Sequence, residues 1–388
     1  MTSSKAIVSS KAVERIKAGH LWIYRSDVLE CKASPGSVVS VFDKKGKFYG
    51  RAFYSSTSLI TLRLLTSLDE PIDRRFWLKR LQTAFELRQR VVSDTEVYRL
   101  VHAEGDGLPS IIVDRYGETL ALQTLSQGAE QIKPLLIDIL LEVFAPQAVV
   151  ERNDAKVREL EGLPRQVSML YGEDPGELVC QENGLRFYYH PTTGQKTGAF
   201  LDQRENRAWT RTLARGSALD CFCYTGGFAA HMASSCKEVE AVDVSESALE
   251  LARRTAELNQ IGNIRFEADN VFDRLRLYAN LKRRFDTIVL DPPAFAKNRN
   301  HVESALRGYK EINLRALSLL NPGGLLVTAS CSQLIDEITF LNLLTQAAAE
   351  ARRRVQVIQK RTQSQDHPFL LSMPETYYLK CFFLRVLE

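Results

Sequence analysis

Four acids in the second half of the chain stand where apolar runs end: Asp220, Asp243, Asp269 and Asp291. Around the first, Leu219-Asp220-Cys221-Phe222-Cys223-Tyr224-Thr225-Gly226-Gly227-Phe228 reads as a buried strand, a tight turn and the start of a helix. Glycine is needed where backbone must come close to a ligand. Asp243 follows Asp220 by 23 residues, at the tip of the next strand, where a carboxylate can accept from both hydroxyls of a ribose. Ser245 supplies the helix cap that would otherwise explain an acid here. The turn is not a pyrophosphate cradle, because Gly226 and Gly227 are adjacent and no third glycine follows at the required interval. A nucleoside bearing a cationic sulfonium fits better than a dinucleotide. Asp220, Phe222 and Tyr224 give the acidic and aromatic surroundings that a cation favours, with Thr225 and Gly226 completing the turn. Asp269, followed by Asn270, is placed to receive the adenine amino group. The implied cofactor is S-adenosylmethionine.

The fourth acid opens Asp291-Pro292-Pro293-Ala294-Phe295. Two prolines in a row fix an extended backbone and remove two amide donors, so this loop is stiff. Phe295 at its tip can stack on a base drawn out of its helix, as enzymes that work on bases require.

These acids need a scaffold that delivers several strand ends to one edge. From about Gln181 to Glu388 the chain alternates buried-strand and helix patterns. The strands are Ala218 to Cys223, Val239 to Val244, Ile264 to Ala268, Thr287 to Leu290 and Leu325 to Ser330, with helices such as Ser247 to Leu258 and Val302 to Leu320 between them. That order predicts an α/β, doubly wound, mostly parallel sheet, which binds ligands at the carboxyl ends of its strands. One more strand, Tyr378 to Leu387, has no crossover helix behind it. Residues 1–72 are mostly β, with runs at 38–42, 48–54 and 59–65, and suit a small barrel. Residues 73–180 open with a helix carrying Leu78, Leu81, Phe85 and Val92. Strands near 97–102, 110–114, 119–124 and 148–151 and a helix near 132–144 make this an α+β module.

Composition narrows the function classes. The 388 residues are 45% hydrophobic and 25% charged, an ordinary globular balance. A net charge of +4 means that any nucleic-acid surface must be local; Arg74-Arg75, Lys282-Arg283-Arg284 and Arg352-Arg353-Arg354 are the candidates. No run has the length or purity of a membrane span, and the N-terminus lacks a secretion signal, so a cytoplasmic location is expected. Seven cysteines without disulfide rhythm read as free thiols, and the Cys221, Cys223 spacing makes no zinc site. No metal is expected.

The motifs together resemble a known family. Asp291 to Phe295, the Asp220 to Gly227 turn and Ser330-Cys331-Ser332 resemble class I methyltransferases of nucleic-acid bases. Gly19 to Tyr24, Gly105 to Gly117 and Lys196 to Arg204 resemble the RlmI-type bacterial 23S ribosomal RNA 5-methylcytosine methyltransferases, across essentially the whole chain. The resemblance implies an N-terminal PUA domain (1–72), a central α+β domain (73–180) and a Rossmann-like methyltransferase domain (181–388). It also implies 23S ribosomal RNA as partner, a homodimer, and a cofactor-holding role for Phe200, Asp202 and Arg204, which composition alone would read as a helix start.

Cys331 carries the chemistry that the resemblance implies. It follows the fifth strand in a polar Ser-Cys-Ser turn, the only one of the seven cysteines so placed. Carbon 5 of cytosine is not nucleophilic until a thiolate adds to carbon 6. Cys331 would be that nucleophile, and Asp291 would hydrogen-bond and help protonate nitrogen 3. Some RNA 5-methylcytosine enzymes carry a second cysteine beside Asp-Pro-Pro; here Ala294-Phe295 stand there, and the acceptor of the carbon 5 proton is unassigned. Two other readings stay open: methylation of another base position such as nitrogen 7 of guanine, which needs no thiol, and a non-catalytic RNA-binding assembly factor.

Overall fold

The computed structural model describes residues 4–296 and 298–387. The chain forms two compact units. The first holds residues 1–181, 189–201 and 365–376; the second holds 182–188, 202–364 and 377–388.

In the first unit, a six-stranded sheet has the order Trp22–Tyr24, Ile60–Thr66, Phe48–Tyr54, Val38–Asp43, Ser4–Val8, Val28–Cys31. Its core gathers Val8, Val39, Val41, Ala52, Leu62 and their neighbours. The three short strands at 4–8, 22–24 and 28–31 carry too few apolar positions to show a period in sequence. A five-stranded sheet follows, in the order Gln166–Tyr171, Ala148–Asn153, Thr119–Thr124, Ile111–Tyr116, Val97–His102. The helix Arg74–Val91 is capped by Asp73, whose carboxylate accepts from the amide of Phe76 at 3.1 Å. It buries Phe76, Trp77 and Leu81 in the same apolar cluster as Val101, Val113 and Leu122 of this sheet.

Segments 189–201 and 365–376 fold into this unit because buried arginines need what they bring. Arg152 donates to the carbonyls of Pro191 and Gly194, each at 2.7 Å. Asp366 accepts from the amide of Arg99 at 2.8 Å and, through its carbonyl, from Arg88 at 2.6 Å.

The second unit is a seven-stranded sheet. Its strands in chain order are β1 (Gly216–Cys221), β2 (Cys236–Asp243), β3 (Ile264–Ala268), β4 (Phe285–Leu290), β5 (Leu320–Ser330), β6 (Val355–Arg361) and β7 (Lys380–Val386). The sheet order is β3-β2-β1-β4-β5-β7-β6. Helices α1 (Arg204–Leu213), α2 (Gly227–Ala233), α3 (Glu246–Leu258), α4 (Val271–Asn280), α5 (Val302–Leu319) and α6 (Glu337–Glu350) lie before and between the strands. Residue alternation sorts the strand side chains onto two faces. Leu219, Cys221, Ile288, Leu290, Leu326 and Phe382 pack with α4, α5 and α6. Ala218, Val289, Val327, Ala329 and Phe383 pack with α2 and Leu249 of α3. Both faces are covered, as a doubly wound parallel sheet requires.

β1 to β5 are parallel, while β7 runs antiparallel between β5 and β6. The strand expected near the C-terminus is therefore β7, entered from the edge strand β6 rather than through a crossover helix. Among the described residues, no helix is long and apolar enough to cross a membrane.

Candidate active site

Strand register decides which side chains meet. Cys221 pairs with Val242 of β2 and Leu290 of β4, so the next turns leave these three strands at one level. The amide of Asp291 still reaches the carbonyl of Cys221, at 3.4 Å. Asp220, Asp243 and Asp291 are thereby gathered at one sheet edge.

Asp220 is fully buried. Its Oδ2 accepts from the amide of Ala229 on α2 at 2.8 Å, while its Oδ1 has no hydrogen-bond partner. Burial first, and then the charges of Asp291 and Asp243, hold its carboxyl well above the usual range. Asp243 uses one oxygen to accept from the amide of Tyr224 and the other from that of Ser245, both at 2.9 Å. It thus pins the β1 turn to the start of α3, where Ser245 caps the helix through its own hydroxyl.

The β1 turn is left-handed at every second residue: φ is +64° at Phe222, +49° at Tyr224 and +75° at Gly226. Only the last is a glycine, so Phe222 and Tyr224 carry backbone strain of the kind found at functional sites. Gly227 is required for another reason. A Cβ there would lie 2.7 Å from Cδ of Arg207, which is paired with the buried Glu182 at 2.7 Å.

At the end of β3, Asp269 accepts from the amide of Asn270 at 2.7 Å and pairs with Arg274 at 2.9 Å. Asn270 caps α4 by accepting from the amide of Phe272 at 2.9 Å. Both residues have structural partners as well as a place at the sheet edge. Asp202 is buried and accepts from the hydroxyl of Tyr378 at 2.9 Å; Arg204 is buried, with Glu205 at 3.0 Å. Phe200 belongs to the first unit, where Lys196 lies 4.4 Å over its ring.

The turn after β5 and the loop after β4 are tied together. Cys331 Sγ lies 3.8 Å from the carbonyl oxygen of Pro292, the residue beside Asp291. Ser332 Oγ accepts from the amide of Ala296 at 3.3 Å and meets the hydroxyl of Tyr309 at 3.0 Å. Cys331 is half-buried, whereas Cys180, Cys221, Cys223, Cys236 and Cys381 are buried. Burial pushes the thiols of Cys180 up to about 12 and Cys236 up to about 11. The ring of Phe295 is half-buried and packs against Phe222, Phe272 and Tyr309, the last at 4.6 Å between centroids.

Two residues escape a sequence reading. Lys380 on β7 pairs in register with Ser330. It is buried, and its Nζ donates to the carbonyls of Ser332 at 2.8 Å and Tyr378 at 2.9 Å. Burial lowers its pKa to about 8, against the upward pull of Cys331, Asp336 and Glu337. Gln203 donates through Nε2 to Asp291 Oδ1 at 2.7 Å. An amide inside the Asp202-Gln203-Arg204 helix start gives no sequence sign of this.

The site fits a cationic nucleoside. A buried carboxylate with one unsatisfied oxygen, set among like charges, is relieved by a positive ligand. The strained turn beside it brings backbone close without a glycine-rich pyrophosphate cradle.

Comparison with known proteins agrees with this chemistry. Residues 164–368 match the family model of S-adenosylmethionine-dependent methyltransferases, and residues 6–67 match a PUA-like domain. Proteins named ribosomal RNA large subunit methyltransferase I are close relatives. That of Erwinia tasmaniensis is 42% identical over 378 residues, covering 95% of this chain and 96% of its own length. That of Tolumonas auensis is 43% identical over 379 residues, with the same coverage. Among solved structures, a SAM-dependent methyltransferase from Streptococcus mutans superposes with a TM-score of 0.84 at 21% identity, covering 98% of this chain and 100% of that one. The methyltransferase SMU.776 complexed with SAH gives 0.85 at 21% identity and the same coverage, a likeness of fold. From the site and from these relatives, the chain belongs to the ribosomal RNA large subunit methyltransferase I family of S-adenosylmethionine-dependent methyltransferases.

Proposed function

We propose that the protein methylates carbon 5 of a cytosine in 23S ribosomal RNA, with Cys331 as nucleophile and Asp291 as the acid beside it. The names of its relatives and its PUA-like domain support ribosomal RNA as the substrate. On this reading residues 1–72 bind RNA, 73–180 form a central domain and 181–388 form the methyltransferase domain, in a homodimer that works in the cytoplasm. Asp243 holds the ribose hydroxyls, Asp269 and Asn270 the adenine side, and Asp220 with the Phe222 to Gly226 turn the charged end. Phe200, Asp202 and Arg204 support the same ligand, and Phe295 packs on the target base.

Bound S-adenosylmethionine supplies the electrophilic methyl group. Cys331 Sγ bonds to carbon 6 of the ring while Asp291 gives a proton to nitrogen 3, which makes carbon 5 electron-rich. Once carbon 5 has been methylated, its proton passes to solvent water, the electron pair of that bond forms the carbon 5–carbon 6 double bond, and the sulfur–carbon bond breaks so that Cys331 leaves as thiolate. Nitrogen 3 returns its proton to Asp291.

The observation that supports this reading is the 3.8 Å approach of Cys331 Sγ to the Asp-Pro-Pro loop. The other cysteines are held by burial in their protonated, unreactive form or, for Cys31, raised in the same direction. Cys331→Ala is expected to abolish turnover on unmethylated 23S RNA while S-adenosylmethionine affinity stays within about twofold, since the sulfur is asked for bond formation only. Full activity in that variant would favour a product such as 7-methylguanine, which needs no thiol.

A further inference from the structure

We propose that Gln203 is a positioning residue for Asp291, and that Asn206 and Arg361 lock its amide so that it can only donate to that carboxylate. The inference rests on Asp291 acting as the acid toward cytosine.

A side-chain amide can present either its oxygen or its NH2, and the choice must come from its partners. Here the partners form a chain that leaves one solution. Arg361, at the end of β6, donates through Nε to Asn206 Oδ1 at 3.0 Å. A guanidinium has donors and no acceptor, so Asn206 must turn its oxygen toward it. Its NH2 then faces the other way, donating to Gln203 Oε1 at 2.6 Å and to the carbonyl of Thr362 at 3.1 Å. Gln203 has spent its oxygen, and only its NH2 remains for Asp291 Oδ1, at 2.7 Å. Reversing either amide would set acceptor against acceptor. Gln203 and Asn206 are 3% and 1% exposed, so water does not compete for these groups. The Arg361 guanidinium is itself held over the Trp209 ring at 5.4 Å.

This has a consequence for proton transfer. Oδ1 of Asp291 accepts from Gln203 in the ionised form and in the acid form alike. The acid's proton therefore sits on Oδ2, and Oδ2 is the oxygen that serves nitrogen 3. Gln203 selects the oxygen and sets the plane of the carboxylate without touching the base.

The test uses the full-length protein, unmethylated 23S RNA and three variants. Gln203→Met removes the donor and is expected to lower kcat about tenfold, with the Kd for S-adenosylmethionine unchanged. Gln203→Glu keeps the shape but sets two carboxyls at hydrogen-bond distance, which cannot both ionise. The alkaline limb of its pH–kcat profile, where the Asp291 proton is lost, should move up by about one unit or more. Asn206→Asp can only accept, so it should flip the Gln203 amide, turn an oxygen toward Asp291 and shift that limb in the same direction. An unshifted limb in both Gln203→Glu and Asn206→Asp, or a Gln203→Met variant that loses cofactor affinity in step with kcat, would overturn the proposal. Asp291→Asn is the control for the underlying reading: normal turnover in it removes the acid role itself, whatever the Gln203 variants do.

Discussion

Around Arg99 in the first unit, buried charges come in matched sets, while at the end of β1 a buried carboxylate has no ion pair of its own among the described residues and feels two others of its own sign more than the cation of Arg207. Arg99 makes two bonds to Asp114, at 2.8 and 2.9 Å, and Arg88 pairs with Asp106 at 2.6 Å. The carbonyl and amide bonds to Asp366 complete that network, with His367 against Asp366 at 2.8 Å. Asp220 is as deeply buried but sits near Asp243 and Asp291, and one of its oxygens accepts nothing. Burial alone thus does not mark a functional site. A balanced cluster is complete in the folded chain, and an unbalanced one is completed by a ligand of opposite charge.

This contrast can be broken at either end. The largest effect is expected from Arg99→Met, which strands Asp114 without its cation and should cost about 3–5 kcal/mol in urea denaturation. A loss below about 1 kcal/mol would mean that the matched pairs are not what holds the first unit together.

Asp220→Asn should act in the opposite sense on the ligand-free protein, stabilising it at neutral pH by about 1–2 kcal/mol while weakening S-adenosylmethionine binding. The sign follows from the raised carboxyl. The folded state holds the proton more tightly than the unfolded one, so stability falls as pH rises from the ordinary carboxyl range toward the raised value. The asparagine variant should lose that slope. If it bound the cofactor as well as the parent does, the unbalanced acid would have no ligand to explain it.

The smallest effect is expected at Lys380, a buried cation held by two carbonyls behind the Cys331 turn. Its pKa is lowered from 10.5 to about 8, so the folded state binds fewer protons than the unfolded one across that window. Stability should therefore climb between those pH values, and Lys380→Met should flatten the climb, read from urea midpoints taken at several pH values.

Much of this site was legible in sequence, and what was not has a physical reason. Asp243 and Asp291 were readable because a strand's end shows as the edge of an apolar run. The antiparallel β7 was readable as a strand, but its partner β6 was not, because Val357 and Ile358 are exposed on an edge and blur the alternation. Phe222 and Tyr224 concealed the shape of the β1 turn, since left-handed backbone is sought at glycines. Gln203 and Lys380 were invisible because their meaning lies in which carbonyls and carboxylates the fold brings to them, some of them more than 80 residues away. The basic clusters likewise have partners that their sequence does not announce: Arg74 pairs with Glu142, and Arg283 with Glu240 at 2.7 Å.

The bonds from Arg88 and Arg99 to Asp366 also fix a timetable. Chains ordinarily begin folding at the end that leaves the ribosome first. Here the first unit waits for a dozen residues synthesised after all of 202–364, because 365–376 complete its interior. Until they emerge, the backbone amide of Arg99 and one nitrogen of the Arg88 guanidinium lack their acceptors in a forming core, so the first unit ripens only after most of the second has been made.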